Sequence, residues 1–563
     1  MRSGFNSQYP DLSACQAERA HSKMVLRGIR IAEVRVRFPV SPKLLCFMNR
    51  NQKILLIILL AILAFCLMVK IDLFTADLGR HLKNGEIILT GSAEARNAVL
   101  TTNYYSYTEG GSPFINHHWL SGVIFFLFFN LFGFSGLSLL YIVFMLIAFW
   151  LVFDLTRDKI NPFAIFAISL IAIPVFASRA EVRPEVFTYL FVALFIWICF
   201  RYSEGKINQR WLWLLPILQI IWVNVHIGFV FGPFIIGVFL LTFLIQKDFS
   251  KAKNIGLILF TSCLALLANP AHIYGAIYPF NIFGEYSYRV LENQSIVFLD
   301  NLSVGNPYTF YSYKILLVLV LSSYLAAAFI NWKKILLPFL IFSVIFGIMG
   351  WSAIRDFPLF GLVGLASLIM NIKIIYDYGG NKFSFLNKEE FLVPVFVGLI
   401  LVGSVMTVGL IAKRSDNFGI GITNGANNAA QFFKANNIKG PIFNNYDIGG
   451  YLIYNLFPSE KVFFDNRPET YAKKFVDEEY IKAMADPEIF KKIDEKYKFN
   501  AIFFYYRDYT PWGQAFITKK VFDPDWAPVY ADLYSLILLK RNNQNNSLIH
   551  NYEIPKESFT ISR

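Results

Sequence analysis

Cysteine is scarce in this sequence: five occur in 563 residues, and none lies beyond residue 263. No disulfide can therefore staple the C-terminal third of the chain. Neither a CxxC pair nor a histidine-rich zinc spacing occurs. The apolar runs carry no charge near their centres and no internal repeat is visible, whereas secondary transporters use midplane polar groups and inverted repeats. These absences argue against a disulfide scaffold, a zinc centre and a transporter.

The first 47 residues differ from the rest of the chain. They carry eight Lys and Arg against three Asp and Glu, and they lack both a helical apolar stripe and the apolar core of a signal peptide. We expect residues 1–47 to be a disordered or mis-assigned extension, with Met48 a better natural start. The alternative is a functional basic arm.

Apolar residues dominate everything that follows. The chain is 55% hydrophobic and 17% aromatic, with 58 phenylalanines, which exceeds the apolar share of ordinary soluble domains. A helix needs roughly 20 apolar residues to cross a bilayer core. We predict an α-helical polytopic membrane protein. Its transmembrane helices, about eleven in number, are expected near residues 53–71, 136–154, 162–177, 184–200, 211–225, 228–246, 254–269, 314–331, 335–350, 357–372 and 392–411.

Lysine and arginine mark one side of this predicted membrane domain. Six short basic segments beside the windows fall on the same side if residues 119–133 form an interfacial or re-entrant helix rather than a span. The positive-inside rule then predicts a multi-pass protein of the inner or plasma membrane with a cytoplasmic N-terminus. The extracytoplasmic side carries the polar segments 72–135, 178–185, 224–226, 270–313, 351–356 and everything after residue 412.

The net charge of +13 does not indicate nucleic-acid binding. After residue 412 the chain has 20 Lys and Arg against 18 Asp and Glu, so much of the excess lies in the N-terminal extension and in short loops. Residues 413–563 alternate helix-like and strand-like patterns such as "NNAAQFFKAN", "GPIFNN" and "NAIFFYY". We predict an extracytoplasmic α/β domain there, after a membrane domain of residues 48–412.

A group of titratable residues follows the first apolar window, in the stretch "IDLFTADLGRHLKNGE". If this stretch is helical, Asp77 and His81 share one face. A carboxylate at that position can act as general base towards a hydroxyl or amide nucleophile. The alternative is a solvated interfacial loop whose charges only anchor the first helix. Asp72, which lies closer to the span, is the second choice of base.

The next polar segment, "SRAEVRPE", contains two arginines and two glutamates. Ionisable groups at the end of a span require partners or a function. Arg183 can clamp a phosphate while Glu181 or Glu185 supplies a second acid, or the charges of the segment can neutralise each other. Further outer-loop candidates for binding a lipid phosphate or another part of the substrate are Arg289, Glu292 and Arg355.

Two outer loops combine histidine with other polar residues. In "NHHWL" the adjacent His117 and His118 point apart on a helix, so they seldom share one metal ion. In "WVNVHIGF" Asn224 and His226 lie at a tight turn between two apolar windows. These four side chains can hydrogen-bond a substrate or serve a structural role, and the sequence leaves both interpretations open.

Taken in order, "ADLGRHLKNG", "RPEVFTYLF", "NVHIGFVFG", "YDIGGYL" and "FFDNRPETY" resemble the GT-C superfamily of membrane glycosyltransferases. The group includes aminoarabinose transferase, protein O-mannosyltransferases and the oligosaccharyltransferase catalytic subunit, and the resemblance to uncharacterised bacterial GT-C-like proteins covers nearly all of residues 48–540. It implies an inverting transfer of a sugar from a polyprenyl-phosphate carrier to an extracytoplasmic glycan, lipid or protein. It also implies that Asp77 is the catalytic base and that Glu185, or Glu181, is the second acid.

The segment "NNYDIGGYLIYNLFPSEKVFFDNRPETY" is similar to the oligosaccharyltransferase element that holds Trp-Trp-Asp-Tyr-Gly, although the paired tryptophans are missing here. That element recognises the acceptor, so the resemblance implies acceptor contacts from Asp447, Tyr451, Asp465 and Arg467. A structural account fits the same residues, because a glycine pair can open a helix and Asp465 can pair with Arg467 across a loop.

The resulting prediction is a glycosyltransferase whose partners are the bilayer, the polyprenyl-phosphate-linked sugar and the acceptor, with a divalent cation left open. The arginines would receive the phosphate leaving group. Two rival classes are a transporter or flippase for lipid-linked glycans and a catalytically silent scaffold of the same fold.

Overall fold

The computed structural model describes residues 48–74, 77–285, 287–288, 290–379, 389–508 and 510–559. The expectations for residues 1–47 and for Arg289 lie outside these ranges. From Asn51 onwards the chain forms one compact unit.

Helices make up most of the described chain before residue 413. They are α1 (Arg50–Leu67), α2 (Leu78–Thr90), α3 (Ala93–Thr101), α4 (Trp119–Thr156), α5 (Pro162–Phe176), α6 (Glu185–Ser203), α7 (Leu214–Val225), α8 (Phe231–Ile245), α9 (Phe249–Ala265), α10 (His272–Glu285), α11 (Ile296–Asn301), α12 (Pro307–Asn331), α13 (Leu337–Ser352), α14 (Phe357–Gly379) and α15 (Glu389–Ala412). Each predicted apolar window coincides with one of these helices.

Seven helical segments of the described chain are long and apolar enough to cross a membrane. They are Arg50–Leu67, Trp119–Thr156, Glu185–Ser203, Ile227–Ile245, Pro307–Lys334, Ile354–Tyr378 and Val393–Ala412. Two shorter apolar helices are α5 and α13. The chain is therefore a helical multi-pass membrane protein, while the count of eleven spans and their sidedness stay predictions.

α4 is 38 residues long and is broken at Gly133, whose φ of 62° and ψ of −162° are not helical. Glycine adopts such angles readily because it has no Cβ. The break separates residues 119–132 from residues 134–156, close to the predicted division between an interfacial helix and the following span.

The C-terminal region combines short helices with a four-stranded sheet. The helices are α16 (Asn428–Ala435), α17 (Gly449–Leu456), α18 (Lys482–Ala485), α19 (Pro487–Tyr497), α20 (Pro511–Phe522) and α21 (Asn546–Tyr552). The strands are β1 (Ile442–Phe443), β2 (Ala501–Tyr505), β3 (Trp526–Ala531) and β4 (Ser535–Lys540), in the order β1-β2-β4-β3. β1 and β2 are parallel and the other pairs antiparallel. The predicted mixture of helices and strands is confirmed.

The segment between α1 and α4, called here the loop after α1 although it contains α2 and α3, packs directly on this C-terminal region. α2 approaches α17 so closely that a Cβ on Gly79 would lie 2.6 Å from the carbonyl oxygen of Gly450. The hydroxyl of Tyr107 donates to the carbonyl oxygen of Ile442 at 2.8 Å. These contacts bring residues that follow the first helix next to residues that follow β1.

Candidate active site

A cavity of about 1020 Å³ lies where the segment between α1 and α4, the loop before α6, residues 287–288 and 290–302, and the C-terminal region meet. Segments that are far apart in the sequence therefore contribute to one site. Ten of the predicted site residues line this cavity: Asp77, His117, His118, Glu181, Arg183, Glu185, His226, Glu292, Arg355 and Asp447.

Asp77 directly precedes α2, and its two carboxylate oxygens have different surroundings. Oδ2 lies 3.2 Å from Nη2 of Arg80 and 3.2 Å from Nε2 of His81. Both partners follow within one turn, as the helical spacing predicts for His81. Oδ1 is buried and has no hydrogen-bond partner among the described residues. Oδ2 is thus held by two neighbours, whereas Oδ1 has no partner among the described residues.

The charges around Asp77 keep its carboxylate ionised. Burial raises the pKa of Asp77, but His81, Arg183 and Arg80 outweigh burial and hold that pKa well below its usual range. Burial and the charge of Arg80 lower the pKa of His81, so this imidazole is neutral at pH 7. His81, through its proximity and hydrogen bond, and the charges of Arg183 and Arg80 together keep Asp77 deprotonated.

Four of the seven histidines of the chain form one cluster beside Asp77. The ring of His118 lies 5.4 Å from that of His81, 3.8 Å from that of His117 and 5.3 Å from that of His226, measured between centroids. Burial lowers the pKa of His117 to about 3 and lowers the pKa values of His118 and His226 well below their usual range. The cluster is a neutral, polar wall that can hydrogen-bond a sugar.

The segment before α6 forms a chain of ion pairs with Glu292. Arg179 Nε lies 2.7 Å from Glu185, and Arg179 Nη2 lies 2.8 Å from Glu292. Arg183 Nε lies 2.8 Å from Glu181, and Arg183 Nη1 lies 3.0 Å from the same Glu292 carboxylate. Glu292 thus bridges Arg179 and Arg183, and each of these arginines also binds a second glutamate.

This network neutralises much of the arginine charge on which a phosphate would depend. Three carboxylates surround Arg179 and Arg183, which agrees with the interpretation that these charges pair with each other. Burial raises the pKa of Glu292, but Arg183, Arg179 and Arg355 outweigh burial and lower it to about 2. Glu292 is therefore ionised under all ordinary conditions.

Arg355 and Asn224 have different positions relative to the cavity. Arg355 lines it and donates from Nη1 to Oδ1 of Asn293 at 2.9 Å. Asn224 does not line it: its Oδ1 accepts from Nε1 of Trp119 at 2.7 Å, and its Nδ2 donates to the carbonyl oxygen of Ala268 at 2.7 Å. Asn224 ties the start of α4 to the ends of α7 and α9.

The C-terminal wall of the cavity lies at the carboxyl ends of the two parallel strands. Asp447 follows β1 and Asp508 follows β2, and ligands of open α/β sheets commonly bind outside such strand ends. Burial, Asp508 and Asp72 raise the pKa of Asp447 to about 7, although Arg183 opposes them. Tyr446 stacks on Tyr288 at a centroid distance of 4.6 Å. This half of the cavity is acidic and aromatic.

Three predicted acceptor contacts lie outside the cavity lining and inside the packed interior. Asp465 is 0% and Arg467 2% exposed, and they form a two-point ion pair at 2.8 and 2.6 Å. The buried Tyr451 accepts a hydrogen bond from the backbone N–H of Ala430 at 3.0 Å and stacks on Phe74. The surroundings of these residues agree with the structural account.

Several cavity residues were not among the predicted site residues. Arg80 could have been predicted from its spacing, because it lies on α2 three residues after Asp77, the residue that precedes this helix. Arg179 lies in "SRAEVRPE", but the sequence does not tell which arginine of that segment faces the cavity. Asp508 follows the strand pattern "NAIFFYY", whose parallel neighbour is far away in the chain. The remaining unpredicted acidic and basic residues of the lining are Glu469, Lys473, Asp477 and Arg507.

A metal ion would need several donor side chains in one place. Within the described ranges, no group of three or more His, Cys, Asp and Glu side chains is arranged to hold one. The histidine cluster therefore does not fit a metal centre, and no catalytic step is assigned to a metal here.

Comparison with solved structures identifies the architecture. Archaeal oligosaccharyltransferase AglB from Archaeoglobus fulgidus, in complex with an inhibitory peptide and a dolichol-phosphate, matches with a TM-score of 0.57 and 11% identity over 86% of this chain and 74% of that chain. The chain has a GT-C-like fold. A structure of the A. fulgidus oligosaccharyltransferase tethered to an acceptor peptide with the NVT sequon also gives a TM-score of 0.57, with 10% identity over 88% of this chain and 74% of that chain.

For ArnT from Cupriavidus metallidurans bound to undecaprenyl phosphate, the TM-score is 0.49, with 12% identity over 87% of this chain and 98% of that chain. Neither a protein-family model nor a curated protein matches the sequence. The likeness to AglB rests on architecture rather than on sequence, so it establishes the fold.

Proposed function

We propose that this GT-C-like protein is a glycosyltransferase that moves a sugar from a polyprenyl-phosphate carrier to an extracytoplasmic glycan, lipid or protein, with inversion at the anomeric carbon. The observation that carries the proposal is Asp77: an ionised carboxylate at the cavity wall with one oxygen held and the other without a partner in the described chain. Such a carboxylate suits a general base.

Oδ1 of Asp77 takes the proton of an acceptor O–H or N–H group while the acceptor atom bonds to the anomeric carbon. The bond between the anomeric carbon and the phosphate oxygen breaks, and the electron pair stays on that oxygen as the polyprenyl phosphate leaves. Attack opposite the leaving group inverts the anomeric centre.

Cations near the cavity would stabilise the charge on the departing phosphate. Arg183 and Arg355 both line the cavity and are the proposed contacts. Glu181 and Glu185 are each bound to an arginine, at 2.8 and 2.7 Å. These distances support a role for the glutamates in orienting arginines, rather than in protonating the substrate.

The acceptor is proposed to enter from the C-terminal side of the cavity. Asp447 lines that side, and the carboxyl ends of β1 and β2 open onto it. The A. fulgidus enzyme with this fold has been captured with an acceptor peptide and with a dolichol-phosphate. That similarity supports a lipid-linked donor and a separate acceptor as the kinds of substrate.

The cavity is proposed to face the extracytoplasmic side of an inner or plasma membrane. Every segment that lines it belongs to the set that the basic short loops predict to be extracytoplasmic. A transferase whose lipid carrier presents the sugar at the outer interface requires this orientation.

Mass spectrometry of lipid carriers and surface glycans from cells lacking the gene tests the proposal. We expect a polyprenyl-phosphate sugar to accumulate and a glycan or other acceptor to lack that sugar. The wild type and Asp300→Asn, an exposed carboxylate outside the cavity lining, should restore the product, and Asp77→Asn should not. Unchanged carriers and acceptors after deletion would overturn the function.

The Asp77 variant tests a narrower point. If Asp77→Asn accumulates as folded protein and restores the product fully, the transfer can still occur, but Asp77 is not its base. The same strain therefore separates the reaction from the residue assigned to it.

A further inference from the structure

Arg80 is a buried cation at the cavity wall, although no predicted role included it. It is the third residue of α2 and only 3% exposed. Its Nη2 donates to Oδ2 of Asp77 at 3.2 Å and lies 3.3 Å from Nε2 of His81. Its Nε is buried and has no hydrogen-bond partner in the described part of the chain. A guanidinium is thus committed to the same carboxylate oxygen that the imidazole contacts.

The two oxygens of Asp77 are used differently because of this arrangement. Arg80 and, in the tautomer with hydrogen on Nε2, His81 both donate to Oδ2. Oδ1 receives no donor from the described residues. A general base must be held in one geometry and must also keep a lone pair for the incoming proton. Donors on one oxygen alone meet both requirements.

We propose that Arg80 is the positioning residue of the transfer: it fixes Oδ2 of Asp77, so that Oδ1 faces the acceptor group. This inference rests on the proposed function. A planar guanidinium fixes a carboxylate in direction as well as charge, which a lysine ammonium does not. His81 contributes a second, neutral contact.

Arg80 also contributes to the charge balance at this position. The charged and titratable groups that face Asp77 are Arg80 and His81 on α2, Arg183 before α6, Glu292 from the loop opposite and His226 after α7. Among them, Arg80 both favours the ionised carboxylate and disfavours protonation of the adjacent imidazole. Removing it should raise the pKa of Asp77, so that the base becomes protonated over a wider range of pH.

Steady-state kinetics of the full chain in lipid nanodiscs test the proposal, with the polyprenyl-phosphate sugar isolated from the deletion strain as donor. We expect Arg80→Gln to lower kcat by about 10²-fold, because a displaced catalytic group costs that much. The KM for the donor should stay unchanged. The acidic limb of the kcat/KM profile should move to higher pH, and Arg80→Lys should restore that limb but not the full kcat.

Lys83→Gln is the matched control. Lys83 lies about one helical turn after Arg80 on α2, and it pairs with Glu86 at 2.7 Å instead of with Asp77. It removes a cation from the same helix and should leave both kcat and the pH profile unchanged. Binding of undecaprenyl phosphate to Arg80→Gln, measured without any sugar, should equal that of the wild type.

Three results would overturn the proposal. Arg80→Gln could keep its kcat while Asp77→Asn is inactive, which leaves the proposed function standing. It could bind undecaprenyl phosphate weakly and keep its acidic limb, which makes Arg80 a phosphate contact. Full activity of Asp77→Asn would remove both this role and the assignment of the base. If Arg80→Gln does not fold, the kcat of Arg80→Lys decides: a lowered kcat with an unshifted acidic limb supports the proposal, and a full kcat overturns it.

Discussion

Replacing Arg467 by methionine is expected to destabilise the folded protein strongly, because the change leaves a buried carboxylate without its cation. Arg467 binds both oxygens of Asp465 and donates to Oδ1 of Asn103 at 2.7 Å. Its guanidinium also lies 5.3 Å from the ring centroid of Tyr105 and 5.0 Å from that of Phe114. These contacts join the loop after α1 to the C-terminal region.

The magnitude follows from burial. Arg467 and the hydroxyl of Tyr471 both donate to the carboxylate of Asp465. After the substitution, the Tyr471 donor, at 2.8 Å, remains and the cation is gone. Breaking a buried pair by removing one partner costs about 3–5 kcal/mol, whereas replacing both charges by apolar groups is often neutral. Arg467→Met should therefore lower the free energy of unfolding by about 3–5 kcal/mol, and the double variant with Asp465→Leu should recover most of that loss.

Equilibrium unfolding in mixed detergent micelles, followed by tryptophan fluorescence, measures this change. Lys496→Met is the control, because Lys496 is 52% exposed in its pair with Glu479, and exposed pairs contribute about 0–1 kcal/mol. If Arg467→Met unfolds like the wild type but no longer transfers sugar to the acceptor, the structural account is wrong. Arg467 would then be the acceptor contact that the sequence resemblance implies.

Three other changes have expected outcomes. Because the pKa of Glu292 is lowered to about 2, its contribution to stability is present above its unfolded value of about 4.3 and lost as pH falls towards 2; thermal unfolding of Glu292→Gln should lack that part of the acid dependence. The pKa of Asp447 is raised to about 7, so stability is lost as pH rises from about 4 to 7; Asp447→Asn should raise Tm at pH 8 more than at pH 4, and equal shifts would contradict the burial argument. A Cβ on Gly122 would lie 2.7 Å from the carbonyl oxygen of His81, so Gly122→Ala should separate α4 from α2 and reduce the yield of folded protein. Gly237→Ala is the control: nothing lies within 4 Å of a Cβ there, so the yield should stay unchanged.

The helices could be predicted from the sequence because each apolar window sets its own length and position. The break near residue 133 was also readable, since a glycine there follows a short apolar segment after a polar loop. Short-loop lysines and arginines predicted which polar segments lie together, and the cavity brings those segments into contact. Local composition carries this information, so no long-range pairing had to be inferred.

The partners inside the site could not be predicted in the same way. Arg179 and Glu292 pair across 113 residues of sequence, and no spacing rule connects a loop before α6 with a loop after α10. β1 has only two residues, so its parallel pairing with β2, which brings Asp447 and Asp508 to one edge, has almost no local signal. Charged residues of the site such as Arg183, Glu185 and Glu292 could be predicted from the sequence. Which of them pair with and neutralise each other depends on the fold.

The surroundings of Asp77 and Glu185 favour Asp77 as the proposed base. Glu185 is 5% exposed and tied to Arg179 at 2.7 Å, and Arg179 is tied again to Glu292. Protonating Glu185 would leave that arginine with one carboxylate fewer in a buried place, which is costly. Asp77 is 19% exposed and keeps one oxygen without a donor from the described residues, although its other oxygen pairs with Arg80. The two carboxylates therefore differ in the structure: Asp77 is the more exposed, whereas the arginine that binds Glu185 is bound in turn by Glu292.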